Sequence, residues 1–219
     1  MFKPVPKALN SQNLLEISTL LNNLEHFIFF GTLLGITREG DIIPGDDDID
    51  IYVETSERSR LIDLLKDNGY IFDEKEAPNL TKNFLQLKII RNDISTYVDF
   101  YFYDKSHKNF ISEKWNFTGK VDDPSNEMHI PKELIYPLQK FKYQNIWLSI
   151  PAKPEEVCHY LYGKNWRFPL KKRTQYYTTI FGNKPITLYG YSGWIIFVLI
   201  KLFHVFRNLI RIIFSLNKS

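Results

Sequence analysis

Four aspartates between Asp46 and Asp50 give this chain its clearest potential for chemistry. They end in an alternation of aspartate and isoleucine that continues as an apolar, strand-like run. Because side chains two residues apart on a strand share one face, Asp48 and Asp50 would lie side by side, while Ile49 and Ile51 would face the core. Two carboxylates at that distance repel each other unless a cation lies between them, and Mg²⁺ or Mn²⁺ prefers such oxygen ligands. The alternative is a solvated acidic loop, which explains the first two aspartates equally well.

A third carboxylate, Asp99, lies on the second strand of a predicted hairpin. The pattern predicts strands over Phe84 to Ile90 and Thr96 to Tyr103, joined by a turn at Arg91 to Asp93. Asp99 is a lone carboxylate among bulky strand residues. It is either a solvent-facing strand residue, or a third metal ligand or general base that an adjacent strand brings beside the first aspartates.

A small-residue turn, Gly31 to Gly35, precedes the aspartates. The backbone N–H groups of Gly31 and Thr32 can approach phosphate oxygens closely, and the turn can open a helix whose N-terminus favours anions. Arg38 lies in a predicted polar loop from Thr37 to Pro44. It is either a bidentate phosphate ligand or an exposed loop charge.

Helices and strands predicted around these residues would position them. Apolar spacing predicts a helix from an N-cap at Ser11 to about Glu25, followed by a strand over Phe27 to Phe30. A second helix begins near Ser56 and ends at Asn68-Gly69. A third begins at Pro154 and ends at Gly163. The following segment to Trp166 is either packed aromatic structure or a platform for a sugar or nucleobase.

Composition narrows the class of protein. At 219 residues the chain fits one domain, or one domain with an appendage. A net charge of +3 without a dense basic tract gives no indication of a nucleic acid partner. The single cysteine, Cys158, excludes an internal disulfide and argues against a cysteine-based zinc site, and we interpret it as a buried or half-buried filler. The segment from Met1 to Lys7 lacks the apolar part of a signal peptide, so the catalytic part is expected to stay in the cytoplasm.

The order of these motifs resembles the LicD family, which includes bacterial phosphocholine transferases and fukutin-type ribitol-phosphate transferases. The matching segments are Gly31-Thr32-Leu33-Leu34-Gly35, Thr37-Arg38-Glu39-Gly40, Ile43-Pro44-Gly45-Asp46-Asp47-Asp48-Ile49-Asp50-Ile51, Tyr97-Val98-Asp99-Phe100 and Tyr160-Leu161-Tyr162-Gly163-Lys164-Asn165-Trp166 with Pro169. Gly45 departs from the family, which usually has tryptophan before the aspartates.

The resemblance implies a nucleotidyltransferase-like α/β (α+β) fold, with a mixed β-sheet flanked by helices. It implies that Asp48, Asp50 and Asp99 bind one or two divalent metals, Mg²⁺ or Mn²⁺, and carry catalysis. Gly31, Thr32 and Arg38 would then bind the donor. That donor would be a CDP-linked alcohol carrying phosphocholine, ribitol phosphate or a similar group. The acceptor would be a hydroxyl of a cell-surface glycan or of its lipid-linked precursor.

The pattern of the last part of the chain predicts a separate helix. We therefore divide the protein into a transferase domain over residues 1–187 and a C-terminal helix over residues 188–219. This helix is strongly apolar. At 100° per residue its polar residues fall within an arc of about 120°. They are Lys201, His204, Arg207, Asn208, Arg211, Ser215 and Lys218. We therefore expect an interfacial amphipathic helix on the anionic cytoplasmic face of the membrane, and so a peripheral protein. A core-packing or oligomer-forming helix and a transmembrane span are the alternatives.

Three functions remain open from sequence alone. The first is the metal-dependent transfer of a phospho-alcohol from a CDP carrier to a glycan. The second is a nucleotidyltransferase that moves an NMP group, because the same carboxylate geometry serves both reactions. The third is a catalytically inactive, membrane-bound glycan-binding protein. The three aspartates weigh against it, because neighbouring carboxylates cost stability without a cation.

Overall fold

A computed structural model describes residues 6–72, 83–114, 127–169, 175–179 and 184–216 of the chain. The α-helices are α1 (Lys7–Leu20), α2 (Phe30–Glu39), α3 (Arg58–Asp67), α4 (Lys132–Ile135), α5 (Pro154–Tyr162) and α6 (Gly190–Leu216). The strands are β1 (His26–Ile28), β2 (Asp48–Glu54), β3 (Phe84–Arg91), β4 (Ile94–Asp104), β5 (Phe110–Lys114), β6 (Glu127–Pro131), β7 (Gln139–Tyr143), β8 (Ile146–Ile150), β9 (Gln175–Thr179) and β10 (Pro185–Tyr189).

The main sheet is mixed, as expected. Among the described residues its strand order is β1, β2, β4, β5, β6, and β3 also pairs with β4. Strands β2 and β4 are parallel, and the other pairs in this sheet are antiparallel. Two smaller antiparallel sheets consist of β7 with β8 and of β9 with β10. Helices flank the mixed sheet, and this confirms the predicted fold class.

The parallel pairing of β2 and β4 sets the positions of the acidic side chains. In this register Asp50 lies opposite Asp99, while Ile49 lies opposite Val98. Because side chains alternate between the two faces, the aspartates share one face and the apolar residues occupy the other. Ile49 and Val98 are fully buried, and so is Ile51, as the alternation predicts.

The first helix differs from its prediction. It begins at Lys7 after Pro6, whose ring fixes φ near the helical range and is tolerated at a helix start. Ser11 therefore lies inside α1, and its prediction as the N-cap was wrong. Its hydroxyl instead pairs with the hydroxyl of Tyr143 on β7, a long-range contact that local pattern does not reveal. The α-helix ends at Leu20 and continues only as one 3-10 turn.

The turn after β1 is tighter than predicted. Strand β1 ends at Ile28, and α2 begins at Phe30, whose φ of 37° turns the chain at once from strand to helix. Helix α2 extends to Glu39 and ends at Gly40, whose φ is 71°. The predicted polar loop therefore begins three residues too early. A Cβ on Gly35 would lie 2.7 Å from the carbonyl oxygen of Asp41, so only glycine lets this loop pack on the helix.

Other local predictions are confirmed. Strands β3 and β4 form a hairpin whose turn residues, Asn92 and Asp93, both have positive φ, as a type I′ turn requires. Helix α3 ends at Asp67 with Asn68 as its C-cap, and Gly69 follows with a φ of 79°. Helix α5 has Pro154 in its first turn and ends at Tyr162 with Gly163 as its C-cap.

The C-terminal helix α6 follows the β9–β10 hairpin directly. It begins at Gly190, close to the predicted boundary between residues 187 and 188, which stays a prediction. None of the helices within the described ranges meets the length and hydropathy that crossing a bilayer requires.

Candidate active site

Three aspartates converge at one end of the parallel strand pair. Asp48 and Asp50 come from β2 and Asp99 comes from β4, and each offers a carboxylate oxygen within 4.8 Å of the other two. Asp50 and Asp99 are 5% and 6% exposed, and Asp48 is half-buried. The structure thus brings together the carboxylates that sequence reasoning singled out.

The N-terminus of α2 holds Asp50. The backbone N–H of Gly31 donates to Asp50 Oδ2 at 2.8 Å, and that of Thr32 donates to the same oxygen at 3.4 Å. In return the N–H of Asp50 donates to Thr32 Oγ1 at 2.9 Å. The two amides predicted to contact donor phosphates therefore contact Asp50, and their role toward a donor stays a prediction.

Gly31 leaves space beside the carboxylates. A Cβ at this position would lie 3.1 Å from Asp46 Oδ2 and 3.2 Å from Asp50 Oδ2. Any larger residue would push against both acidic side chains. The absence of a side chain at Gly31 therefore leaves room for these two carboxylates.

The loop before β2 is tied to α1 by a residue that sequence reasoning missed. Asn10, 1% exposed, donates through Nδ2 to the carbonyl oxygens of Asp46 at 2.7 Å and Asp48 at 3.3 Å. The N–H of Tyr97 on β4 donates to the carbonyl oxygen of Asp47 at 2.8 Å. The predicted helix has its N-cap at Ser11, so Asn10 fell outside it, and no pattern in the sequence indicated this contact.

A second missed residue, Gln86, holds Asp99. Gln86 lies directly opposite Asp99 in the β3–β4 hairpin, and its Nε2 donates to Asp99 Oδ1 at 2.9 Å. The predicted three-residue turn would have paired Gln86 with Val98, whereas the observed two-residue turn pairs it with Asp99. The contact fixes one carboxylate oxygen, and a side-chain hydrogen bond with Tyr101 also holds Asp99.

An aromatic layer lies next to the carboxylates on the same face. Tyr52 and Tyr101 follow Asp50 and Asp99 by two residues, and Phe30 packs edge-on against both rings, with centroids 5.6 Å and 5.0 Å away. Both tyrosines are buried. This layer excludes water from the inner side of the site, which makes charge there costly.

Burial and mutual repulsion raise the carboxylate pKa values. Burial and the charge of Asp47 raise the pKa of Asp48 to about 6. Burial raises the pKa of Asp99 to about 7, although its hydrogen bond from Gln86 acts in the opposite direction. The pKa of Asp50 is raised well above its ordinary value by burial first, and then by the neighbouring aspartates. A bound cation would therefore stabilise the ionised forms of these three carboxylates.

The donor set fits a hard divalent cation. The three side chains offer carboxylate oxygens that can ligate one ion, and a second group, from Asp46 to Asp48, offers a similar set. The charged neighbours that raise the pKa of Asp50 are all aspartates, namely Asp48, Asp99 and Asp46. A cation would remove this repulsion, so the residues present suit a metal, whose identity the ligand set alone does not specify.

Arg38 lies in a different part of the fold. It is in the last turn of α2, seven residues after Gly31, which corresponds to about 10 Å along the helix axis. Its guanidinium pairs with Glu39 at 2.7 Å, and its side chain is 12% exposed. Binding of the donor by Arg38 stays a prediction.

The remaining candidates pack into the protein. Tyr162 and Trp166 are buried members of the core, which favours packing over a sugar platform. Cys158 is fully buried, and burial raises the pKa of its thiol to about 12, so it is neutral at ordinary pH. The interpretation of Cys158 as a filler agrees with this environment.

A sequence model of the family LicD/FKTN/FKRP, nucleotidyltransferase domain, matches residues 23–153, which is more than half of the chain. The match contains α2, β2, β3 and β4, and therefore every residue of the carboxylate site.

Two curated proteins are also similar to this chain. An uncharacterized protein of Rickettsia prowazekii (strain Madrid E) is 29% identical over 137 residues, covering 61% of this chain and 45% of that protein. An uncharacterized protein of Rickettsia typhi (strain ATCC VR-144 / Wilmington) is 29% identical over 140 residues, covering 61% of this chain and 38% of that protein. The chain thus spans less than half the length of these relatives.

Among solved structures, the lincomycin-bound lincosamide antibiotic adenylyltransferase LnuA superimposes with a TM-score of 0.45 at 15% identity. The superposition covers 67% of this chain and 82% of that one.

Proposed function

The chain belongs to the LicD/FKTN/FKRP nucleotidyltransferase domain family, and on this premise we propose that it transfers a phospho-alcohol from a CDP-linked donor to a glycan hydroxyl in a metal-dependent reaction. Its mixed sheet and flanking helices form the nucleotidyltransferase-type fold of that family. The observation that carries the proposal is the convergence of Asp48, Asp50 and Asp99, whose carboxylate oxygens lie within 4.8 Å of one another.

The carboxylates suit the electrostatic demands of this reaction. Phosphoryl transfer depends on alignment and charge neutralisation more than on covalent chemistry by the protein. Asp48 and Asp50 would hold Mg²⁺ or Mn²⁺ together with Asp99. A cation bound there supplies positive charge to the donor phosphates. The N–H groups of Gly31 and Thr32 keep Asp50 in place, so its position does not depend on the ligand.

In the proposed reaction the acceptor oxygen bonds to the phosphorus that carries the alcohol. The bond from that phosphorus to the bridging oxygen breaks, and CMP leaves. The acceptor hydroxyl must also lose its proton. Asp99 is the candidate for this step only where it does not ligate the cation, so metal ligand and general base are alternative roles for this carboxylate.

A donor screen tests the proposal. The full chain is incubated with Mg²⁺ and CDP-choline, CDP-ribitol or CDP-glycerol, with water and simple sugars as surrogate acceptors, and CMP release is measured. We expect one donor to yield CMP faster than the others, and we expect EDTA to abolish its release. The Asp50→Asn variant serves as the matched blank.

The same assay distinguishes the alternatives. Release of pyrophosphate from a nucleoside triphosphate, without CMP from any CDP-alcohol, would indicate NMP transfer instead. Absence of both products from the folded, metal-loaded protein would contradict a catalytic role and favour the glycan-binding alternative.

Gln86 provides a prediction about positioning. Gln86→Leu removes the donor to Asp99 Oδ1, so we expect about a tenfold loss of kcat with little change in the KM of the CDP-alcohol. The hydrogen bond from Gln86 lowers the pKa of Asp99, so its loss should also shift the acidic limb of the rate profile to higher pH. Steady-state kinetics across pH measure both effects.

Gln12→Leu is the control for this substitution, because Gln12 is exposed on α1 and donates only to Glu16. Its kinetics should match those of the wild type. An unchanged kcat and pH profile in Gln86→Leu would contradict the positioning role.

A further inference from the structure

Helix α6 exposes a continuous apolar stripe. Its members are separated by three or four residues, and at 100° per residue they fall within an arc of about 100°. They are Tyr191, Ile195, Leu199, Leu202, Phe206 and Ile210, each between 38% and 78% exposed. A contiguous exposed apolar surface of this extent marks an interaction site.

The stripe faces away from the rest of the protein. Gly193 is buried, and a Cβ there would lie 2.9 Å from the carbonyl carbon of Leu188 on β10. Gly193 therefore marks the side of α6 that packs on the hairpin. On the helical projection this side lies about 150° from the centre of the stripe.

The exposed apolar surface is wider than a helix pair needs. Trp194 and Ile196 lie on either side of the stripe, and each is 45% exposed. Including them widens the apolar arc to about 200°, whereas the seam of a two-helix coiled coil is a narrow stripe. A broad apolar face suits the flat boundary between lipid head groups and acyl chains.

The charges of α6 have one sign. Between Gly190 and Leu216 the sequence has three basic residues, Lys201, Arg207 and Arg211, and no aspartate or glutamate. Such a segment is complementary to an anionic phospholipid surface, which attracts basic residues next to an apolar face.

We propose that α6 docks the protein on the surface of an anionic phospholipid membrane, with the helix parallel to the surface and the stripe inserted among the head groups. Hydrophobic insertion supplies most of the attraction, and the basic residues add selectivity for anionic lipid. The docking surface lies outside the carboxylate site, so vesicle binding and turnover are separate measurements.

A flotation assay with the full chain tests this docking. Vesicles of phosphatidylcholine, with or without phosphatidylglycerol, are floated through a density gradient, so that aggregated protein stays at the bottom. The stripe variant is Leu199→Ser with Leu202→Ser and Phe206→Ser. Its matched control replaces three exposed apolar residues outside α6, as Ile71→Ser, Ile90→Ser and Phe168→Ser.

We expect the wild type to float with vesicles that contain phosphatidylglycerol, and less with phosphatidylcholine alone. The stripe variant should partition at least ~100-fold more weakly, because it loses three inserted apolar side chains. The control should float like the wild type. All substituted residues of these two variants are exposed, so we expect both variants to stay folded, and thermal unfolding checks this.

A charge variant tests the electrostatic part separately. Lys201→Glu with Arg207→Glu and Arg211→Glu should weaken binding to anionic vesicles at least ~10-fold, and raising the salt concentration should weaken wild-type binding in the same direction.

Three results would overturn the proposal. The first is a wild type that does not float with anionic vesicles. The second is a stripe variant, or a charge variant, that floats as well as the wild type. The third is a wild type that forms a lipid-free dimer, becomes monomeric in the stripe variant and ignores vesicles, because a second copy would then cover the stripe.

Discussion

Asp50→Asn is expected to lower turnover at least ~100-fold while the protein stays folded. The substitution removes one negative charge from the metal-binding set, and loss of that electrostatic contribution is comparable to deleting a strong transition-state stabiliser. Asparagine keeps an oxygen that can accept from the N–H of Gly31, so the turn into α2 should persist. Asp48→Asn should have a similar effect, measured as CMP release under saturating donor and Mg²⁺.

Asp63→Asn is the matched control, because Asp63 is an exposed acid on α3. It should retain wild-type turnover. If Asp50→Asn kept turnover close to that of the wild type in Mg²⁺ or Mn²⁺, the assignment of Asp50 would be wrong.

The second prediction concerns stability in the absence of metal. Asp99 has an ordinary pKa of 3.8 and a folded-state pKa of about 7, so its contribution to stability is present at low pH and is lost as the pH rises through 7. Between about pH 5 and about pH 8 this loss amounts to about 3 kcal/mol, and the raised pKa values of Asp48 and Asp50 act in the same direction. In EDTA, the melting temperature of the wild type should therefore fall by roughly 5–10 °C more than that of Asp99→Asn when the pH is raised over this interval.

Metal should reverse this loss. At about pH 8 Asp48 and Asp99 are above their pKa values and can bind Mn²⁺, so adding it should raise the wild-type melting temperature, whereas at about pH 5 these two protonated groups should respond little. Differential scanning calorimetry on the wild type and Asp99→Asn gives both comparisons. The repulsive carboxylate cluster would be contradicted if the wild type and Asp99→Asn showed the same pH dependence of the melting temperature and Mn²⁺ did not change that of the wild type.

The sequence predicts the site well where the signal is local. The alternation around Asp48 and Asp50 follows from the two-residue period of a strand, and Asn92 and Asp93 mark the hairpin that carries Asp99. Both signals depend only on neighbouring residues. The order of the motifs then pointed to the family and hence to the mixed sheet.

The sequence fails where contacts are distant along the chain. The parallel register that sets Asp50 opposite Asp99 joins strands separated by α3 and β3, and no local pattern defines it. The contact of Asn10 with the aspartate loop likewise depends on where α1 packs. The early start of α2 requires a positive φ at Phe30, which is rare outside glycine and is imposed by the surrounding packing.

Mn²⁺ binding tests the central claim most directly. Free Mn²⁺ is measured by electron paramagnetic resonance as the ion is titrated into the full chain at about pH 8, above the pKa values of Asp48 and Asp99. We predict saturable binding by the wild type and by Asp63→Asn, and loss of that binding when Asp48, Asp50 and Asp99 are all replaced by asparagine. Equal binding by the wild type and by the folded triple variant would show that these three carboxylates are not the metal site.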